Sequence, residues 1–389
     1  MRIAIDVRRI LDFGVGTYIR NLLNALGAAD KENEYLLISP PENARELSQL
    51  PANFRPVLYA RSDEDRADHF ALPLLLRELR PDLVHVPFNR VPLFMPKPYV
   101  VTIHDLSSLM FEEASGMMRN LRRFRFRRGL LRANKVIAVS EATRRDVQNM
   151  MSIPEERLCV IYNAPDPQFF GHRHLADARA AGPEAATLER QRILERYQIH
   201  HPFLLYAGNI RPQKNIPRLV EAFAVVRTEL AQHPVYRDLR LIIIGDEISK
   251  YPSVRHAVIQ SRVEHCVRFL GFVPFDTLRI FYELAAAFVF PSLYEGFGLP
   301  PLEAMASGTP VITSNSSSLP EAVGDAAMLV NPENVFDIAH GIRDVLLNDE
   351  LRADLIRKGK KHALSFSWER TAREVIEIYR EVAYNRRSD

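Results

Sequence analysis

Short apolar runs recur along the chain, and most neighbouring runs are separated by enough residues for one helix. In the first half they lie at Ile3 to Val7, Tyr35 to Ile38, Leu83 to Val86, Tyr99 to Ile103, Lys135 to Val139 and Val160 to Tyr162. In the second half they lie at Phe203 to Ala207, Leu239 to Ile244, Val267 to Leu270, Ala287 to Phe290, Val311 to Thr313 and Ala327 to Val330. Apolar strands that alternate with helices are typical of parallel sheets covered on both faces. The chain is therefore predicted to be an α/β protein with two doubly wound, Rossmann-like sheets.

Two domains of ordinary size fit the length of the chain. Its 389 residues exceed the roughly 250–300 residues at which a single hydrophobic core stops growing. Between the two series of runs, residues 172–200 are polar and charged, rich in Ala, Arg and Glu. We predict that this stretch connects an N-terminal domain, residues 1–171, to a C-terminal domain, residues 201–367. In doubly wound sheets ligands bind beyond the carboxyl ends of the strands, so the residues that follow the runs are the candidate site residues.

The composition is that of a globular protein. Hydrophobic residues make up 47% and charged residues 25% of the chain, which excludes a disordered or collagen-like protein. The formal net charge of +3 points to no particular partner. Cys159 and Cys266 lie far apart in apolar stretches, which favours small buried side chains over a disulfide or a metal site and fits a reducing, cytoplasmic compartment. No apolar stretch reaches about 18 residues, so we expect neither secretion nor a membrane span.

The segment from Pro291 to Gly308 directly follows an apolar run and carries the strongest motif. Its glycines and the pair Pro300 and Pro301 are typical of a tight loop that brings backbone close to a ligand and then begins a helix. Backbone N–H groups at a helix start can bind phosphate, and carboxylates beside the loop can bind sugar hydroxyls. A surface loop with a helix-stabilising glutamate is the alternative. We assign Glu295 to catalysis, and the residues predicted to bind a donor here are Gly296, Phe297, Gly298, Leu299 and Glu303.

Glu295 and Glu303 are separated by seven residues in this Gly- and Pro-rich setting, which resembles the E-x7-E motif of the retaining glycosyltransferases of family four, the glycosyl transferases group 1. In that family the first glutamate contacts the donor sugar and the second the ribose. The resemblance spans nearly the whole chain, including Phe366 to Trp368, where such proteins send a final helix, here about residues 368–389, back across the N-terminal domain. It implies the GT-B fold, in which two facing Rossmann-like domains enclose a cleft, with the acceptor on the N-terminal domain and the nucleotide sugar on the C-terminal one.

A second motif extends from Tyr206 to Asn215, again at the end of an apolar run. Arg211 and Lys214 are two cations on one loop that can neutralise a diphosphate, and a leaving nucleoside diphosphate gains negative charge in the transition state. Solvated loop charges are the alternative, because the helix dipole does not favour cations at a helix start. Many family members have arginine directly after the glycine, where this chain has Asn209. We assign Arg211 and Lys214 to catalysis. We predict that Gly208, Asn209 and, further along the chain, Val273 bind the donor.

In the N-terminal half, His104 and Asp105 directly follow the run Tyr99 to Ile103. A buried, hydrogen-bonded histidine is the alternative to a catalytic one. The pattern resembles the His-Asp pair of the family, whose histidine lies beside the donor sugar, and we assign His104 to catalysis. Gly14 and Gly16 follow the first run, and their backbone N–H groups could face a phosphate or the acceptor; a plain turn is the alternative. A dinucleotide-binding fingerprint would need glycine where Ile19 stands, which disfavours a nicotinamide enzyme; the resemblance to the family's glycine loop implies that Gly16 is a site residue.

Asp63, Glu64 and Asp65 match the D-x-D pattern that holds a divalent metal in the other major glycosyltransferase fold. They lie in a stretch of mixed charge, typical of a solvated surface, and no His- or Cys-rich segment accompanies them. We therefore predict no metal and no cofactor other than the nucleotide-sugar co-substrate.

The segment Arg119 to Arg132 contains no acidic residue, and apolar side chains recur in and beside it at helical spacing. It is typical of a basic amphipathic helix that docks on an anionic membrane surface. A helix packed on the core with a solvated basic side is the alternative. Nucleic acid is disfavoured as a partner because a basic groove with stacking aromatics is lacking.

Together, the residues and the resemblance predict a retaining, metal-independent hexosyltransferase of the cytoplasm, peripheral on the inner face of the membrane, that assembles cell-surface polysaccharide. The segment Gly208 to Leu219 is similar to stretches of bacterial mannosyltransferases that use GDP-mannose, so mannose transferred to a glycan or lipid-linked acceptor is the preferred reaction. A UDP-glucose-type donor is one alternative. A non-catalytic nucleotide-sugar-binding scaffold on the same fold is the other, and the presence of Lys214, Glu295 and Glu303 speaks against it.

Overall fold

The structure, a computed structural model, describes residues 1–12, 14–111, 116–171, 187–246 and 248–388. The chain forms two compact units, one of Met1–Ala164 with Phe366–Asp389 and the other of Pro165–Ser365. Residues 172–186 of the predicted connector lie outside the described residues. Residues 187–196 are helical and belong to the second unit, where Arg190 pairs with Glu283 and Glu189 pairs with Arg279.

The first unit contains a parallel sheet with helices around it. Its strands are β1 (Arg2–Asp6), β2 (Glu34–Ser39), β3 (Phe54–Leu58), β4 (Leu83–Val86), β5 (Tyr99–Ile103), β6 (Lys135–Ala138) and β7 (Leu158–Val160). Its helices are α1 (Val15–Ala29), α2 (Ala44–Leu47), α3 (Asp68–Leu79), α4 (Ser107–Met110), α5 (Gly116–Arg132), α6 (Glu141–Met151) and the C-terminal helix (Trp368–Ser388). The strand order is β3-β2-β1-β4-β5-β6-β7. The direction of winding therefore reverses between β1 and β4.

Alternate side chains of the strands point to opposite faces of this sheet, and each face packs in its own apolar core. Ile3 and Ile5 point to a core that includes α1 and the C-terminal helix, with Trp368 and Tyr379 fully packed in it. Ala4 points to the opposite core, which α3, α5 and α6 cover. The predicted run Val160 to Tyr162 begins two residues too late, because Leu158 and Cys159 already pair with β6. The edge strand β3 falls outside the predicted runs.

The second unit repeats the plan. Its strands are β8 (Phe203–Ala207), β9 (Arg240–Ile244), β10 (Val267–Gly271), β11 (Ala287–Phe290), β12 (Val311–Ser314) and β13 (Met328–Val330). Besides the helix of residues 187–196, its helices are α7 (Ile216–Glu229), α8 (Pro252–Gln260), α9 (Phe275–Leu284), α10 (Leu299–Ser307), α11 (Leu319–Val323), α12 (Val335–Leu347) and α13 (Asp349–Ala363). The order β10-β9-β8-β11-β12-β13 is parallel throughout. The winding reverses between β8 and β11, so the loops after these two strands flank the position where doubly wound sheets bind ligands.

Candidate active site

The loops that follow β8 and β11 are joined by hydrogen bonds. The N–H of Leu293 donates to the carbonyl of Gln213 at 2.8 Å. The buried amide of Asn215 donates to the carbonyl of Pro291 at 3.0 Å and to that of Pro332 at 2.7 Å. Asn215 itself takes the left-handed conformation, with φ 61°, which asparagine tolerates better than most residues. The loop that carries Lys214 is thereby held against the loop that carries Glu295.

Lys214 and Glu295, 81 residues apart in sequence, form an ion pair. The ammonium donates to Oε1 of Glu295 at 2.6 Å and to Oε2 at 2.7 Å, and it lies 5.3 Å from the centre of the Phe290 ring. The two side chains are 14% and 11% exposed, so the pair is largely buried but still in contact with solvent. A lysine ammonium has three donors. Two are used on Glu295, and the third has no hydrogen-bond partner among the described residues.

Glu295 is oriented through its backbone as well. The hydroxyl of Ser317 donates to the Glu295 carbonyl at 2.6 Å. The hydroxyl of Ser318 lies 2.9 Å from the same carbonyl oxygen and 2.8 Å from that of Phe297, so its one proton is shared between them. These serines follow β12 and were missed in the sequence, where the run of three serines after Asn315 was the only indication of them. They fix the direction of the glycine loop between Glu295 and α10.

The glycine loop ends in a helix start that requires glycine. Gly298 has φ 119°, and a Cβ there would press on Leu319 and Ala322 of α11. Leu299 and Pro300 then begin α10. Because Pro300 and Pro301 have no N–H, Leu299 is the only one of the first three helical residues whose N–H could bind a phosphate. Gly296 and Phe297 are buried within the loop. The predicted donor residues 296 to 299 thus form one continuous turn beside Glu295.

Glu303 lies one turn into α10, buried beneath the loop. It is 8% exposed, and the hydroxyl of Tyr282 donates to its Oε2 at 3.1 Å. Burial is the main cause that raises the pKa of Glu303 to about 8; the hydrogen bond from Tyr282 opposes the shift, and the charge of Asp166 adds to it. A carboxyl that is protonated at neutral pH can donate as well as accept a hydrogen bond.

The loop after β8 makes a second set of contacts on its other side. Gly208 has φ 150°, and a Cβ on Gly245 would overlap the carbonyl oxygen of Gly208, so only glycine fits at position 245. The N–H of Ile210 donates to Asp246 at 3.1 Å, and Arg211 donates to the hydroxyl of Tyr251 at 3.3 Å. Arg211 is exposed. Gly245 and Asp246 were missed in the sequence, although a glycine followed by an acidic residue directly after an apolar run indicates such a loop.

Two buried polar atoms in these loops lack a partner among the described residues. They are Oδ1 of Asn209, after β8, and Oγ of Ser292, after β11. Buried polar atoms are rarely left unpaired, because the missing hydrogen bond costs free energy. Val273 is buried after β10, the edge strand, and lies two strands from the point where the winding reverses.

In the first unit, His104 lies at the end of β5 with its ring held on one side. Its Nε2 is 2.9 Å from the carbonyl oxygen of Pro87; because a carbonyl only accepts, Nε2 carries the proton. Burial lowers the pKa of His104, against the effects of Pro87 and Asp105. The ring is therefore neutral at pH 7, with Nδ1 as an acceptor. Asp105 accepts from the N–H and hydroxyl of Ser107 at 2.8 and 2.6 Å and orders the loop.

Gly16 is required by packing within its own loop. A Cβ there would overlap the carbonyl oxygen of Ile10, and the N–H of Gly16 donates to the carbonyl of Asp12 at 3.0 Å. That N–H is thus already paired, so a ligand at this loop would meet other groups than the Gly16 amide.

The acidic triplet is paired with arginines. Asp63 lies 2.7 Å from Arg9, Glu64 lies 3.4 Å from Arg90, and Asp65 lies 3.0 Å from Arg61.

The basic helix α5 is exposed over most of its length. Leu121 and Phe124 are 42% and 58% exposed and stand among exposed arginines that include Arg125 and Arg128. The side chains of residues 117–119 lie outside those described. Among the described helices, none is both long and apolar enough to cross a bilayer.

The two parallel α/β sheets, with loops gathered where the winding reverses, match the GT-B fold of glycosyltransferases. Solved structures that share this fold include sucrose-phosphate synthase of Thermosynechococcus elongatus, with 20% identity, 98% of both chains covered and a TM-score of 0.75. Another is HepE of Anabaena in complex with UDP-glucose, with 16% identity, 98% of this chain and 100% of the other covered, and a TM-score of 0.74. At these identities the likeness concerns the fold.

The family follows from sequence. The profile of the glycosyl transferases group 1 matches residues 190–362, and that of glycosyltransferase family 4 matches residues 14–169. Together they cover most of the chain, and the chain belongs to this family of glycosyltransferases. It is 28% identical to O-antigen chain mannosyltransferase B of Escherichia coli over 94% of this chain and 96% of that protein. It is 30% identical over 76% of its length to the serotype-specific mannosyltransferase WbdA of Escherichia coli, of which it spans 34%.

The buried carboxyl of Glu303 predicts a pH-dependent stability. The group titrates near pH 8 in the folded protein and near its ordinary value of 4.5 in the unfolded chain. Between these values the folded protein holds the extra proton, so its free energy of unfolding falls as the pH rises, by up to about 1.4 kcal/mol per pH unit. We expect Glu303→Gln to remove this decline and to be more stable than wild type at about pH 8. Denaturant unfolding at about pH 5 and pH 8 measures it.

The exposed Glu264 offers a matched control, since Glu264→Gln should keep the decline. If the free energy of unfolding changed by the same amount in wild type and in Glu303→Gln between the two pH values, this would contradict the raised pKa of Glu303.

Proposed function

We propose that this glycosyltransferase is a retaining, metal-independent mannosyltransferase that uses GDP-mannose and extends a lipid-linked glycan in cell-surface polysaccharide assembly. The observation that carries the donor site is the Lys214–Glu295 pair at the winding reversal of the second sheet. The mannosyltransferase relatives in O-antigen synthesis support the sugar and the glycan acceptor. A UDP-glucose donor is the second candidate, favoured by the HepE complex.

The diphosphate would be held by the loop after β8 and the start of α10. The third donor of Lys214 binds a phosphate oxygen while the other two keep Glu295 in place. Arg211, exposed at the same loop, adds positive charge as the diphosphate leaves. Asn209, Val273 and the turn from Gly296 to Leu299 line the donor, with Gly208 letting the backbone approach it.

The nucleoside and sugar would be bound by the carboxyl groups. Glu303, protonated at neutral pH because burial raises its pKa to about 8, can donate to one ribose hydroxyl and accept from another. Glu295 binds the sugar hydroxyls with the oxygen lone pairs that Lys214 leaves unused.

His104, as the neutral Nε2–H form, offers Nδ1 as an acceptor for a sugar hydroxyl. The acceptor hydroxyl would attack the anomeric carbon from the face that the diphosphate leaves, so the anomeric configuration is retained. The bond from that carbon to the phosphate oxygen breaks, and the departing diphosphate takes up the proton of the hydroxyl. No residue is assigned as a covalent nucleophile.

Nucleotide binding tests the donor site. We expect isothermal titration in the presence of EDTA to give tight binding of GDP and weaker binding of UDP and ADP. Lys214→Met removes a charge-assisted hydrogen bond, worth about 1.5–3 kcal/mol, and should weaken GDP binding by about 10- to 100-fold. Lys358→Met removes another paired lysine of the same unit, one that contacts Asp325 and Asp354, and should bind GDP as wild type does.

Tight binding of UDP instead of GDP would move the donor to the UDP-glucose class. If none of the three nucleotides binds, or if Lys214→Met binds as tightly as the parent, the donor site is wrong and the non-catalytic scaffold becomes the better hypothesis.

We also propose that α5 places the enzyme on the inner face of the cytoplasmic membrane. Arginines contribute about 1 kcal/mol each near an anionic surface, and the exposed Leu121 and Phe124 can enter the headgroup region. At low salt the protein should sediment with phosphatidylserine vesicles. Charge reversal of Arg125 and Arg128 to Glu should weaken this by more than about tenfold.

Reversal of Arg255 and Arg262, exposed arginines of the second unit, is the matched control and should leave vesicle binding nearly unchanged. Wild-type protein that stays in the supernatant at low salt would contradict membrane docking.

A further inference from the structure

Four fully buried polar side chains form one hydrogen-bonded chain inside the first unit. The hydroxyl of Tyr379 lies 2.6 Å from Nδ1 of His85, Nε2 of His85 lies 2.8 Å from Oγ1 of Thr102, and that oxygen lies 3.3 Å from the hydroxyl of Tyr18. All four residues are at most 1% exposed. They come from the C-terminal helix, β4, β5 and α1. We call these four residues the buried chain.

The buried chain works as a unit because its histidine is neutral. Burial lowers the pKa of His85 to about 3, so the ring has one donor and one acceptor. The hydrogen bond on one ring nitrogen thus decides the direction of the bond on the other. Loss of one hydroxyl leaves its neighbour with an unpaired polar group in a place that water does not reach.

The far end of the buried chain touches His104. The Tyr18 ring packs edge-on against the His104 ring, with centroids 4.8 Å apart, and against Trp368 at 5.8 Å. Tyr18 is therefore held by Thr102 at its hydroxyl and by Trp368 at its ring. On another side, His104 is held by the carbonyl of Pro87, which follows β4 two residues after His85.

We propose that Tyr379, His85, Thr102 and Tyr18 are positioning residues that fix the orientation of the His104 imidazole. Through Tyr379, the C-terminal helix thereby supports the site on the first unit. The proposal rests on the role of His104 beside the donor sugar. None of the four contacts substrate. Their effect passes through the Tyr18 ring, which sets the ring plane of His104 and keeps water from that side of it.

Thr102→Val tests the buried chain, because valine has the shape of threonine without the hydroxyl. It breaks the links to both His85 and Tyr18. Thr102→Ser keeps the hydroxyl and is the conservative partner. Tyr379→Phe removes only the first link and serves if Thr102→Val does not fold. Tyr35→Phe is the matched control: its hydroxyl is equally buried in the same core, but it binds Asp30 at 2.6 Å.

The readout is the titration of His104 by NMR in histidine-labelled protein, assigned with His104→Gln. The titratable groups that face His104, namely Asp105, His85 and Tyr18, are retained in Thr102→Val. We expect Thr102→Val and Tyr379→Phe to move the pKa of His104 upward toward 6.5, since its packing loosens. Their kcat should fall by about tenfold with GDP affinity unchanged. Thr102→Ser and Tyr35→Phe should titrate as wild type does.

An unchanged His104 titration in both Thr102→Val and Tyr379→Phe would overturn the proposal, as would an equal shift in Tyr35→Phe. The NMR titration needs no substrate. Failure of GDP to bind wild-type protein would therefore count against the donor site alone, and the two failures are distinguishable.

Discussion

The pairing of β8 with β11 is the constraint on which the donor side depends. The chain leaves β8, builds two further strands on one side, and returns to lay β11 on the other side of β8. Only this reversal brings the loop with Lys214 against the loop with Glu295. Asn215 then locks the two loops by donating to backbone carbonyls on both Pro291 and Pro332. The ion pair is thus a consequence of topology, and its spare donor is what a diphosphate would use.

The loops after β8 and β11, together with the first turn of α10, bury polar groups that an apolar core normally excludes. Glu303 is buried with a single described side-chain partner, and Asn209 and Ser292 each hold a buried oxygen without a described partner. Such groups lower the stability of the free protein. Under the proposed function, a bound nucleotide would pair with them and would recover the free energy that they cost the free protein. On the first unit, by contrast, the side chains of Tyr379, His85, Thr102 and Tyr18 behind His104 are joined by hydrogen bonds, which suits rigid support of one imidazole.

The sequence predicts the second sheet well because most of its strands are buried on both faces and form continuous apolar runs. It misses β3, since Phe54–Leu58 is an exposed edge strand that contains Pro56, a residue that edges tolerate. The apolar runs predict that Lys214 and Glu295 both lie just beyond the ends of strands, where a ligand binds. They do not predict the direct contact of the two side chains, because no local pattern encodes a pair 81 residues apart. The need for glycine at position 245 could likewise not be predicted, because it arises from the close approach of the Gly208 carbonyl in the folded protein.

A structure of the protein with bound GDP tests the central claim most directly. We predict that the diphosphate lies between Lys214 and the start of α10, with a Lys214 Nζ to phosphate oxygen distance of about 2.7–3.0 Å. Glu295 should remain paired with Lys214, and the ribose hydroxyls should contact Glu303. A nucleotide bound elsewhere would contradict it, as would one whose ribose lies away from Glu303 and whose phosphates lie away from Lys214.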